Sequence, residues 1–136
     1  MLSIDSLCFV FNCNLYKKSD RANLIFLELK KFHGKGGHVR FVLDYPREHK
    51  PNFHPIKFFS RRFKEAGFSF KYLHSGQAQH AKLLIFDKKI AVFGSHNLTS
   101  RSVISKHDLS IVLDGAQLLA ELNAYFSFTW SVSVEA

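Results

Sequence analysis

The chain has 136 residues, 46% of them hydrophobic and 15 of them Phe, which is enough for one globular domain with an aromatic core. Its formal net charge is +8 and its pI is about 9.7, a balance that favours a polyanionic partner, either nucleic acid or an anionic membrane surface. Two cysteines, Cys8 and Cys13, are too few for a zinc site, and we interpret them as buried thiols in a reducing compartment. No signal peptide is evident and no apolar run approaches about 20 residues, so we expect a cytoplasmic protein without stable membrane insertion.

The first part of the chain has a strand–helix–strand pattern. Residues 7–12 are typical of a buried strand, and residues 22–32 carry apolar side chains at helical spacing before a glycine-rich stop. A second strand is expected over 39–44. This order predicts a βαβ unit with parallel strands and a right-handed crossover.

The second part of the chain continues the alternation of helices and strands. The pattern predicts a loop at 45–55, a helix at 56–66, a strand at 68–73, a hairpin within 80–97, a strand at 108–113 and a final helix at 116–130. We therefore expect a single α/β domain over residues 1–136, with a central mixed β-sheet flanked by helices.

The hairpin brings polar residues together. Two apolar runs flank Asp87-Lys88-Lys89, and a two-residue turn of Lys88 and Lys89 places Lys82 opposite Ser95 and His80 opposite Asn97. Because side chains alternate along a strand and cross-strand partners share a face, these four side chains would form one cluster. A three-residue turn would shift the pairing by one residue and scatter the cluster over both faces.

The residue types of this cluster suit phosphate chemistry. Lys82 and Asn97 can donate to phosphate oxygens, and His80 can act as a nucleophile or a general acid. Gly94 allows backbone or ligand to approach closely. The alternative is an amphipathic hairpin whose polar face only meets water.

The run also resembles the signature of the phospholipase D superfamily, H-x-K-x4-D-x6-G-S-x-N. The fixed positions of that signature are all present, as His80, Lys82, Asp87, Gly94, Ser95 and Asn97. The layout from about residue 7 to residue 130 resembles the small, single-motif nucleases of the superfamily. Members of the family usually begin with a further strand and helix, so we expect either a trimmed version of the domain or a part of a longer product. The resemblance implies a phospholipase D-like fold and a metal-independent reaction without a cofactor.

The resemblance also implies a role for each residue. His80 would attack phosphorus to give a phosphohistidine, Lys82 and Asn97 would bind phosphate oxygens, and Ser95 would hydrogen-bond within the cluster, unless it only caps the chain after Gly94. Asp108 would orient the imidazole. A chain with one motif would act as a homodimer whose two His80 side chains share one site.

Asp87 is interpreted as a structural turn residue, since it follows seven residues after His80 on extended chain, roughly 20 Å away. The expected function is an endonuclease acting on DNA or RNA. The alternatives are a phospholipid phosphodiesterase, a non-catalytic nucleic-acid-binding module, or a catalytic domain of a larger restriction or repair protein.

Overall fold

A mixed β-sheet organises the residues that the computed structural model describes, namely 6–11, 20–50, 53–76, 80–95 and 109–136. Its strands are β1 (Ser6–Phe11), β2 (His38–Asp44), β3 (Ser69–Leu73), β4 (Leu83–Phe86), β5 (Ile90–Gly94), β6 (Ser110–Leu113) and β7 (Val134–Glu135). The helices in the same ranges are α1 (Asp20–Gly34), α2 (Phe53–Ala66) and α3 (Ala116–Val132). The seven strands lie in the order β6-β5-β4-β1-β2-β3-β7, which confirms the predicted α/β class with a central mixed sheet.

The parallel centre of the sheet follows the predicted βαβ unit. β1 pairs with β2 in parallel, and β2 pairs with β3 in parallel through the crossover that contains α2. The predicted helices lie where expected, although α2 begins three residues before the predicted start and α3 ends two residues later. Strand β7 was not predicted, because its two residues join the sheet only by pairing with β3.

Buried residues alternate along the strands, so both faces of the sheet are covered by helical packing. On β2, Val39, Phe41 and Leu43 pack with α1 and α2, whereas Val42 faces the cluster that includes Leu119 of α3. We call these the α1/α2 face and the α3 face. Burying side chains of this size stabilises the fold by about 1.5–3 kcal/mol each.

One charged side chain belongs to the α3 face of β2. The Arg40 guanidinium lies 5.1 Å from the ring centre of Phe126 and 5.5 Å from that of Trp130, and it donates a hydrogen bond to Cys8 Sγ over 3.2 Å. Burial raises the pKa of the Cys8 thiol, although Arg40 opposes the rise. Cys8 is thus a buried thiol, as predicted, while Cys13 lies outside the described residues.

The turn between β4 and β5 differs from the predicted one. Phe86 pairs with Ile90, so the turn contains three residues, Asp87, Lys88 and Lys89, rather than two. Asp87 and Lys88 have φ values of 50° and 59°, the left-handed conformation of both central residues in a type I′ turn. The predicted register is therefore wrong by one residue, and Lys82 faces Gly94 instead of Ser95, with Gly94 N donating to Lys82 O over 3.4 Å.

Length and composition of the helices bear on membrane insertion. Within the described ranges, none of the helices combines the length and the apolar character that crossing a bilayer requires.

Candidate active site

The candidate site lies at the edge of the sheet where β1, β2 and β3 end, which we call the carboxyl edge. β4 runs antiparallel to β1, and its first residue, Leu83, pairs with Val10 near the end of β1. The segment before β4, residues 80–82, therefore lies at the carboxyl edge. Ligands of open α/β sheets commonly bind outside this edge, where loops rather than the sheet set the chemistry.

His80 and Lys82 are placed on this short segment. His80 is exposed and Lys82 is half-buried. The Lys82 ammonium donates a hydrogen bond to the carbonyl oxygen of His80 over 2.5 Å. An ammonium has three donors, so this bond fixes the position of the charge beside His80 and leaves two N–H directions for another acceptor.

Ser95 lies one residue beyond β5 and is tied to the chain that enters β6. Its Oγ accepts a hydrogen bond from Leu109 N over 2.9 Å and donates to Leu109 O over 3.3 Å, and Ser95 N donates to the same carbonyl over 2.9 Å. The hydroxyl therefore joins two segments that are far apart in sequence. The side chain was predicted to share a face with Lys82, but the one-residue shift places it opposite Ala81 in the continued register.

The glycine at position 94 is explained by its packing against the start of β6. A Cβ at Gly94 would lie 2.2 Å from Leu109 O and 2.6 Å from Ser110 Cα. The close approach that the glycine permits is thus an approach of the β6 backbone.

Two of the predicted site residues, Asn97 and Asp108, lie outside the described residues, and so does His96. Their roles stay predictions. Leu109, which follows Asp108 in the sequence, is the residue hydrogen-bonded to Ser95.

Asp87 has the structural role that was predicted for it. The residue lies in the β4–β5 turn, its Oδ1 accepts a hydrogen bond from Ser6 N over 2.5 Å, and its own N donates to Ser6 O over 2.9 Å. This pair of bonds joins the turn to the start of β1, at the opposite edge of the sheet from residues 80–82. Asp87 therefore anchors the hairpin and does not reach the site.

The sequence analysis missed a second group of residues at the carboxyl edge. Asp44, the last residue of β2, is fully buried and lies 3.7 Å from Arg47 Nη1. Tyr45 and His74 follow the ends of β2 and β3, and their rings lie 4.3 Å apart. Polar and aromatic residues that directly follow an apolar strand were the signal that could have identified them.

The described residues also bear on metal binding. No three His, Cys, Asp or Glu side chains of the described residues are grouped closely enough to hold a metal ion. The chemistry that these residues offer is that of an imidazole, an ammonium and backbone amides.

Comparison with known proteins identifies the family. The family model described as "Cardiolipin synthase, PLD-like domain" matches residues 9–130. The chain belongs to the phospholipase D superfamily. The superfamily membership predicted from the signature residues is thereby confirmed.

Individual relatives agree with this assignment. A curated relative, the mitochondrial cardiolipin hydrolase of Chlamydomonas reinhardtii, is 26% identical over 114 residues, which are 84% of this chain and 48% of that protein. The chain thus spans about half the length of the curated relative it matches. Two solved structures share the fold: Nuc from Salmonella typhimurium, described as a phospholipase D family member (TM-score 0.74, 16% identity, 98% of this chain and 83% of that chain), and NucT from Helicobacter pylori (TM-score 0.73, 15% identity, 96% and 82%).

Proposed function

We propose that this chain is a metal-independent phosphodiesterase, most specifically an endonuclease that cleaves DNA or RNA. The observation that carries the proposal is the pair His80 and Lys82 at the carboxyl edge, with the Lys82 ammonium held on the His80 carbonyl. An exposed imidazole beside a fixed cation can attack a phosphorus whose negative oxygens the cation neutralises.

The reaction has two steps. A nitrogen of His80 attacks phosphorus, the bond from phosphorus to the leaving oxygen breaks, and that oxygen takes a proton from a general acid. Water then attacks the phosphohistidine, the P–N bond breaks, and the water proton returns to the group that acted as the acid. Lys82, with Asn97, stabilises the charge on the non-bridging oxygens, and Asp108 orients the imidazole.

Charge supports nucleic acid as the substrate. Along with the net charge of +8, α2 presents a row of exposed cations, Lys57, Arg61 and Lys64, about one helical turn apart. Glu65 is the only acidic residue of this helix. Because α2 begins after the loop that leaves the carboxyl edge, the row leads away from the site, as a track for successive phosphates would.

The general acid in this proposal is a second His80, supplied by a partner subunit across a two-fold axis. Mixing wild type with His80→Ala under conditions that exchange subunits tests this arrangement. If both histidines are required, activity follows the square of the wild-type fraction. A linear dependence, or full activity in a monomer, contradicts the shared site.

The proposed chemistry is tested with a panel of labelled DNA, RNA and cardiolipin substrates, incubated with the protein in EDTA. We expect cleavage of nucleic acid in EDTA and its loss in His80→Ala. His38→Ala is the matched control, because His38 is also exposed but lies at the start of β2, at the opposite edge of the sheet. Activity that disappears in EDTA and returns with magnesium or zinc would refute the mechanism.

A phospholipid substrate is the second candidate, and one observation favours it. Phe93, Leu109 and Ile111 are 38%, 73% and 49% exposed, and they form an apolar patch on β5 and at the start of β6, next to Ser95. Because Phe93 pairs with Leu83 and Ile111, the patch belongs to the α3 face, the opposite face from Lys82, and it could receive acyl chains from that side of the sheet edge. The curated relative named as a cardiolipin hydrolase supports the same candidate. Turnover of cardiolipin but not of nucleic acid in the panel would select it.

A further inference from the structure

A row of aromatic rings on the α1/α2 face ends at the carboxyl edge. Phe70 and Tyr72 of β3 lie 6.0 Å apart, Tyr72 and Tyr45 lie 5.9 Å apart, and Tyr45 and His74 lie 4.3 Å apart. Tyr72 is buried, Tyr45 is half-buried and His74 is exposed. The row therefore begins in the core and ends with a ring that faces solvent.

The backbone fixes the last pair of this row. Asp44 pairs with Leu73 in the parallel register of β2 and β3, and Tyr45 N donates to Leu73 O over 3.1 Å, so Tyr45 and His74 form the next rung. The buried Asp44 and its partner Arg47 hold the chain on the other side of Tyr45. The two rings are inclined by 36°, and Tyr45 supports one side of the imidazole. His74 thus presents an exposed ring that rests on Tyr45.

This pair lies at the same edge as His80. In the sheet order, β2 and β3 are the second and third strands from β4, which corresponds to about 10–14 Å along the edge. Nucleotides in a stacked strand are about 3.4 Å apart, so no more than about four nucleotides separate the two positions. Lys82 lies two residues before Leu84 and four before Phe86, whose side chains pack against the core of the α1/α2 face. Because alternate residues of an extended chain share a face, the Lys82 cation belongs to the same face as the rings.

We propose that Tyr45 and His74 form a stacking platform for one unpaired base of a nucleic acid strand whose scissile phosphate lies at His80. This inference rests on the proposed nuclease function and extends it to the strandedness of the substrate. A base within a duplex presents only its edge, whereas an unpaired base can place its face on an aromatic ring. The substrate is therefore single-stranded, or unpaired within a few nucleotides of the cleaved bond.

The test measures binding apart from cleavage, in the His80→Ala protein. Two oligonucleotides of equal length are compared, one of thymidine and one with an abasic backbone, so that the number of phosphates is the same. One stacked base should strengthen binding of the thymidine strand about fivefold or more relative to the abasic strand. Adding His74→Ala should remove most of this ratio, His74→Phe should retain it, and His38→Ala, at the opposite edge, should leave it unchanged.

The possible results separate this inference from the proposed function. His74 is exposed, so these variants should unfold at the same temperature as the parent, and Tyr45→Leu provides a second variant of the platform. A ratio near one in the parent, or a ratio that His74→Ala preserves, overturns the platform even if DNA or RNA is cleaved. Equal cleavage of duplex and single strands by wild type also overturns it. Failure to cleave nucleic acid, with turnover of cardiolipin vesicles, overturns the proposed function and the platform with it.

Discussion

Replacing Gly94 with Ala should destabilise the protein through one identifiable clash. The new Cβ would lie 2.2 Å from Leu109 O, 2.6 Å from Ser110 Cα and 2.9 Å from Ser110 Oγ. Carbon atoms in favourable contact lie about 3.5–4.0 Å apart, so the β6 backbone must move by about 1 Å. That movement strains the three hydrogen bonds between Ser95 and Leu109 as well as the β5–β6 ladder.

Overpacking of this kind costs about 1–3 kcal/mol, which lowers the melting temperature of a domain of this size by roughly 3–12 °C. Calorimetry of Gly94→Ala measures the loss directly. Gly115→Ala is the matched control, because Gly115 has φ −69° and a Cβ there would meet no atom within 4 Å. Because Gly115 is the N-cap of α3, where Ala is less favourable than Gly, that control should lose roughly 0.5 kcal/mol, which is less than the loss expected for Gly94→Ala. If Gly94→Ala melts at the wild-type temperature, the packing of Gly94 against β6 is not as described.

Three further predictions concern other parts of the chain. Lys88→Asn should raise the melting temperature by a few degrees, because Lys88 holds a left-handed conformation that costs roughly 1 kcal/mol or more and that Asn tolerates better. Thermal unfolding measures the gain, and a lower melting temperature would contradict this account of the turn. Burial raises the pKa of Cys8, so the protonated thiol contributes stability to the folded state, and this stability is lost as the pH rises through the pKa of the folded state. Peptide mapping should show slow alkylation of Cys8 near pH 8, and labelling at alkaline pH or in denaturant. Rapid labelling of the folded protein at pH 8 would count against burial. Log K for single-stranded DNA should fall with the logarithm of the salt concentration, with a slope of about 0.7 per phosphate contact. Lys57→Gln with Arg61→Gln should reduce that slope, while Lys88→Gln with Lys89→Gln, at the opposite edge, should not, and equal effects of the two pairs would refute the α2 track.

The register of the hairpin shows where local sequence rules stop. The apolar runs before and after Asp87 predicted both strands, because alternation and length are properties of the segments themselves. Turn length was not predictable in the same way. Lys88 adopts a positive φ that the rules assign to Gly or Asn, and Asp87 is held by Ser6, a residue 81 positions away. A tertiary hydrogen bond thus accompanies a register that the local pattern leaves open.

The same distinction explains which site residues could be predicted. His80, Lys82 and Ser95 belong to a signature with fixed spacing, so the sequence alone makes them candidates. Tyr45 and His74 come together only because β2 and β3 pair in parallel with Asp44 opposite Leu73, and no local spacing contains that register. β7 is a similar case, since its two residues are fixed by pairing with β3 and by the ion pair of Glu135 with Lys71 at 3.3 Å.

The two sides of the site have opposite chemical character, and this constrains how a substrate can lie. Towards β2 and β3 the carboxyl edge carries Tyr45 and His74, followed by the cations of α2, whereas towards β5 and β6 it borders the apolar patch of Phe93, Leu109 and Ile111. Phosphates gain nothing from apolar side chains, so under the proposed nuclease function a strand at His80 would run towards β2 and leave the patch uncovered. In the lipid alternative the patch would contact acyl chains instead. The substrate panel therefore tests which of these two arrangements the site uses.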